Sequence, residues 1–169
     1  MLHSALLNVM IKAARKAGRT PKRDFGEVEH LQVSLKGPAN FVTAADRRAE
    51  EILREELLTA RPGYGFLGEE GGRHEGTDKT HTWVVDPLDG TSNFVHGIPH
   101  FAISIAVQEP KLDGSGWGDV VAGLVYQPVT DESFWAEKTR GATGFGVLAL
   151  ALTGHLSRSP CSIPPSSTS

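Results

Sequence analysis

The chain has 169 residues with 39% hydrophobic and 22% charged side chains, which suits one globular domain with a real core. A net charge of −3 gives no electrostatic case for nucleic acid or an anionic membrane as partner. The single cysteine, Cys161, excludes an internal disulfide framework; no Cys/His spacing reads as zinc, no apolar run could span a bilayer, and a cytoplasmic location is the expectation.

The first expected element is a helix. Leu2, Leu6, Val9, Ala13 and Ala17 recur at helical spacing, Ser4 stands where a cap would, and Gly18 offers a stop. Residues 1–23 contain no Asp or Glu and several Lys and Arg, as an amphipathic transit peptide would. A packed globular helix accounts for the same pattern and is preferred. Residues 28–35 then alternate, predicting a strand with Leu31, Val33 and Leu35 on one face and Lys36-Gly37-Pro38 as its breaker. Thr43 is placed to cap a second helix whose apolar positions are Ala49, Ile52, Leu53 and Leu57, closed by Arg61-Pro62-Gly63. Its Arg and Glu residues read as a solvated, ion-paired face. Phe66-Leu67-Gly68 predicts a short strand that ends in Glu69-Glu70. Residues 71–80 form a polar, glycine-rich loop.

The next stretch carries the chemistry: Trp83-Val84-Val85-Asp86-Pro87-Leu88-Asp89-Gly90-Thr91-Ser92-Asn93-Phe94. Its apolar, β-branched start predicts a buried strand that delivers two carboxylates, Asp86 and Asp89. Pro87 stiffens the turn between them, Gly90 permits a sharp turn close to a ligand, and Thr91-Ser92 could cap a following helix. Acidic oxygens followed at once by helix-terminal N–H groups suit a hard cation holding a phosphate. Residues 101–107 and 120–126 alternate as strands around the flexible Asp113-Gly114-Ser115-Gly116. A turn at Gln127-Pro128-Val129-Thr130-Asp131 leads to a strand over residues 133–137. Helices first and then strands on short turns predict an α+β fold, two helices layered on an antiparallel sheet. His96 and His100 read as structural or surface residues. From residue 140 onward there is no Asp or Glu, and the text turns Ser/Pro-rich. Residues 147–152 could form a short buried element, and residues 157–169 are expected to be disordered.

The segment Asp86-Pro87-Leu88-Asp89-Gly90-Thr91, with Trp83-Val84-Val85 before it and Asn93-Phe94 after, resembles the motif of the inositol monophosphatase family. That resemblance implies a layered α/β sandwich of the inositol monophosphatase/fructose bisphosphatase type. It also implies a magnesium-dependent, lithium-sensitive phosphatase of inositol metabolism, with a small-molecule phosphate monoester as partner. It covers residues 1–141 as an N-terminal domain and leaves 142–169 as a divergent tail, so the chain reads as a truncated, N-terminal half. A homodimer is compatible with the sequence.

By resemblance, Glu69, Asp86 and the Leu88 carbonyl would hold one Mg2+, and Asp86 with Asp89 would contribute to a second. Thr91, oriented by Asp46, would help Glu69 activate water, and the N–H groups of Gly90 and Thr91 would bind phosphate. Glu70 would sit beside this shell in a supporting role. Lys36 could offset acidic charge near the metals or be an ordinary surface lysine. Asp46 sits in Lys36-Gly37-Pro38-Ala39-Asn40-Phe41-Val42-Thr43-Ala44-Ala45-Asp46, which also resembles a family segment. The family completes its second metal site and sugar pocket from a C-terminal half that has no counterpart here. The alternative reading is a catalytically inactive metal- or phosphate-binding fragment, or an interaction module.

Overall fold

The computed structural model describes residues 3–31, 38–110 and 116–138. Lys36, the start of the 113–116 link, the apolar stretch 147–152, Cys161 and the whole tail 142–169 lie outside the described residues. Helix α1 (Ala5–Ala17) opens as its sequence predicts, with the Leu7 N–H donating to the Ser4 hydroxyl at 3.0 Å. Arg15 and Lys16 in its last turn suit the negative end of the helix dipole. It stops at Gly18, and α2 (Arg19–Leu31) begins directly after.

Here the strand expected over residues 28–35 is corrected. Residues 28–31 are the end of α2, and 32–35 lie outside the described residues. The cause is tertiary. Asp24, 1% exposed, is clasped by Arg23 of its own helix and by Arg48 across a 2.8 Å ion pair. Phe25 meets the rings of Phe94 and Phe101 at centroid distances of 5.7 and 5.2 Å. Such anchors outweigh a few residues of alternation, because local propensity is a weak prior.

Helix α3 (Pro38–Ala60) also starts earlier than expected, so Thr43 lies within the helix and does not cap it. Pro38 is the first helical residue, where a fixed φ and a missing N–H do no harm. The helix ends before Arg61-Pro62, as expected. The strands are β1 (Gly65–Leu67), β2 (Arg73–His74), β3 (Thr82–Asp89), β4 (Ala102–Pro110), β5 (Trp117–Gln127) and β6 (Glu132–Glu137), with the short α4 (Thr91–Val95) after β3. Strand β2 occupies part of the loop expected over 71–80.

The strands form one sheet in the order β2-β1-β3-β4-β5-β6. Its pairings are antiparallel except between β1 and β3, which run parallel. Helices α1 and α3 pack on one face, giving the layered α+β arrangement. Leu7, Met10, Leu53 and Leu57 from the helices meet Trp83, Ile103, Ile105 and Leu124 from the strands, all at most 2% exposed. Each such side chain contributes about 1.5–3 kcal/mol by leaving water. A second cluster of Leu88, Phe94 and Phe101, with Phe25 against it, fills the space beneath the turn after β3. No helix among the described residues is long and apolar enough to cross a membrane.

Candidate active site

Parallel pairing of β1 with β3 decides where the acids go. Leu67 stands opposite Val84, so the segments leaving both strands emerge at the same end of the sheet. Glu69 and Glu70 come from one, Asp86 and Asp89 from the other. Glu69 and Asp86 stand close enough for their charges to act on one another. The Asp86 charge, and then burial, raise the Glu69 pKa, while burial chiefly raises that of Asp86.

The β3 turn is held by its own residues. Pro87 cannot donate to the ladder, and the register with β4 shifts between Asp86 and Asp89 as a bulge. The Leu88 N–H donates instead to Asp86 Oδ1 at 3.1 Å, and the Thr91 hydroxyl donates to the Leu88 carbonyl at 3.0 Å. Gly90 has φ +90°, and a Cβ there would meet the His100 carbonyl oxygen at 2.8 Å, so glycine is required. The expected cap by Thr91-Ser92 is not what forms. Gly90 is the N-cap with no side-chain bond, and Thr91 and Ser92 are helical. His96 and His100 lie exposed beside the turn, His96 with Nδ1 2.7 Å from the Ser92 carbonyl oxygen.

Asp46 reaches this acidic region from α3. It is 5% exposed, and its Oδ1 has no hydrogen-bond partner. Burial first, then the charges of Glu69, Glu70 and Asp86, push its pKa up to about 7. Glu70 turns outward to Arg47, with an Nε–Oε2 distance of 3.0 Å. Asp89 and Thr91 are exposed, and Leu88 is buried.

Two further residues stand out: Glu50, expected on a solvated, ion-paired face, and Asp24, for which the sequence carried no expectation. Both are buried, at 5% and 1% exposure. A signal for Glu50 existed. Asp46 and Glu50 share the stripe of Ala49, Leu53 and Leu57 at spacings of three and four residues, and two acids on a buried helix stripe need a reason.

The donors fit a hard cation by type, since all are carboxylate or carbonyl oxygens. Among the described residues no three His, Cys, Asp or Glu side chains enclose an ion by themselves. Two carboxylates and a carbonyl leave room for water and substrate oxygens, which is how magnesium is usually bound. The buried, unpartnered Asp46 Oδ1 is a further acceptor within the electrostatic reach of the same acids.

A profile of the Inositol monophosphatase family matches residues 3–168. The chain belongs to that family. It is 59% identical over 142 residues to an inositol-1-monophosphatase of Rhizobium meliloti, covering 84% of this chain and 51% of that protein. It is 63% identical over 133 residues to one of Caulobacter vibrioides, covering 79% and 50%. Other relatives are named Nus factor SuhB. Among solved structures, the extragenic suppressor protein suhB from Bartonella henselae aligns with a TM-score of 0.68 and 47% identity, over 84% of this chain and 51% of that one. The chain spans about half the length of the curated relatives it matches.

Proposed function

We propose that the chain carries the metal- and phosphate-binding part of a magnesium-dependent phosphate monoesterase, with myo-inositol monophosphate as its leading substrate. The observation that supports this most is the side-by-side exit of β1 and β3, which brings Glu69 against Asp86 next to the Leu88–Thr91 turn. Glu69, Asp86 and the Leu88 carbonyl would hold one magnesium, and Asp86 with Asp89 would contribute to a second. Magnesium bound there supplies a Lewis acid for the phosphoryl group and a more acidic water. The Thr91 hydroxyl, which here donates to the Leu88 carbonyl, would turn that proton to the Asp46 carboxylate, leaving its oxygen free to accept a hydrogen bond from the attacking water. Asp46 orients that residue, and Glu69 takes part in removing the water's proton. The Gly90 and Thr91 N–H groups donate to phosphate oxygens. Glu70 supports the acids, and Lys36 offsets their charge. The setting is taken as cytoplasmic, with residues 1–141 as the folded unit and 142–169 as an appendage.

Magnesium should raise the melting temperature by mass action, and Asp86→Asn should remove most of that rise. An unchanged magnesium response in the variant would sink the site assignment. Turnover tests the rest. Phosphate-ester hydrolysis has a very high unaided barrier, and misplacement of the reacting groups alone can lose about a hundredfold. The 169-residue chain alone should therefore show very weak or no magnesium-dependent activity, and joining it to the C-terminal half of a relative should restore turnover. Robust inositol-phosphate hydrolysis by the chain alone would overturn this expectation.

The relatives named Nus factor SuhB favour a second reading, an inactive metal- or phosphate-binding fragment or interaction module. A joined chain that binds magnesium and still fails to turn over would select it.

A further inference from the structure

Glu50 sits one helical turn after Asp46 on α3, on the face turned to the sheet, and is 5% exposed. A buried carboxylate is costly unless its oxygens are satisfied. Both Glu50 oxygens accept main-chain N–H groups, Oε2 from Glu70 at 2.8 Å and Oε1 from Gly71 at 2.6 Å. Among the described residues no Lys or Arg forms an ion pair with it. A surface-type acid has thus been folded inward to hold a loop, with the added strength of an ionised acceptor.

The loop it grips is the one that carries Glu69. At its base the Gly68 N–H donates to the Gly72 carbonyl at 3.0 Å. Glu69 therefore lies between two fixed peptide groups, one closed by that bond and one held by Glu50. The fit is close. A Cβ on Gly68 would come within 2.6 Å of Glu50 Oε2, and a Cβ on Gly71 within 2.6 Å of Oε1. Glycine at both positions leaves room for the carboxylate.

We infer that Glu50 is a positioning residue for the metal site: its buried carboxylate holds the 68–72 loop and so sets Glu69 against Asp86. This rests on the metal-binding reading above, and touches neither the substrate nor the ion itself. A residue that orients a ligand from behind commonly changes metal affinity by about 10–100-fold when removed. A residue that only stabilises the fold would change the melting temperature and leave the affinity of the folded fraction intact.

The test uses the full chain with Mn2+ alone as a paramagnetic probe, together with amide hydrogen exchange. Glu50→Ala should weaken Mn2+ binding by about tenfold or more. Glu50→Gln, which keeps one carbonyl oxygen at the same reach, should fall between it and the wild type. In both variants exchange should quicken at residues 69–72 and stay slow in β4. Gly68→Ala should reproduce the loss by pushing the carboxylate aside, and should add nothing in the Glu50→Ala background, since the two act through one contact. Wild-type Mn2+ affinity in Glu50→Ala, alongside loss of binding in Asp86→Asn, would overturn the inference and leave the metal site standing. If the wild type binds no Mn2+, the metal reading fails and the role proposed for Glu50 in metal placement falls with it. In that case unchanged protection of Glu70 and Gly71 in Glu50→Ala removes the loop tether as well.

Discussion

The turn after β3 and the loop after β1 meet at one point, yet they are held in different ways. Between the ladder pairs that Asp86 and Asp89 make with β4, the β3 turn is braced locally. Asp86 accepts from Leu88, Thr91 donates to Leu88, and Gly90 supplies the left-handed step, all within six residues. The β1 loop has a short ladder bond at its base and depends for the rest on Glu50, a residue some twenty positions away on another element. Local bracing keeps its shape when the surroundings shift, whereas remote bracing ties the loop to the seating of α3. The ligand on the first is therefore expected to be the more tolerant of mutation elsewhere.

The largest effect expected from breaking the self-braced side is at Gly90. Gly90→Ala forces a side chain into φ +90° and within 2.8 Å of the His100 carbonyl oxygen. The backbone strain alone should cost about 1–3 kcal/mol. Urea denaturation should show this as a lower midpoint with an unchanged slope; a wild-type midpoint would mean the turn is not fixed there.

A gentler cut is Thr91→Val, which removes the hydrogen bond to the Leu88 carbonyl. An ordinary neutral hydrogen bond is worth about 0.5–1.5 kcal/mol, and Thr91 is exposed, so the loss should sit at the low end. In the chain joined to a relative's C-terminal half, turnover should fall far more than stability does. Equal, small losses in both would remove Thr91 from the proposed chemistry.

The smallest effect should come from Arg47→Ala on the remotely braced side. Its ion pair with Glu70 is exposed, and such pairs contribute about 0–1 kcal/mol. Melting temperature and Mn2+ affinity should both stay near wild type. A clear drop in affinity would show that Arg47, and not Glu50, sets the loop.

Much of the fold is readable along the chain because its causes are local. Ser4 and Gly18 bracket α1, Arg61-Pro62-Gly63 ends α3, alternation marks β4 and β5, and the turn over residues 127–131 announces β6. The Asp86–Thr91 turn is readable for the same reason: proline, glycine and a short-range hydroxyl build it from within. Residues 28–31 depart from the expectation because Asp24 and Phe25 answer to Arg48 on α3, Phe94 on α4 and Phe101 just before β4, and alternation over a few residues cannot report such contacts.

The site divides along the same line. Which residues bear oxygen donors, and that Asp86 and Asp89 flank a rigid turn, follow from the order of amino acids alone. That Glu69 lies beside Asp86 follows from parallel pairing of β1 with β3, a choice made by the packing of the whole sheet against its helices. That Glu50 is buried and bound to two main-chain N–H groups is equally non-local. On an isolated helix it is one of several solvated acids, and it becomes an anchor only when α3 is pressed against the sheet and the 68–72 loop is closed over it.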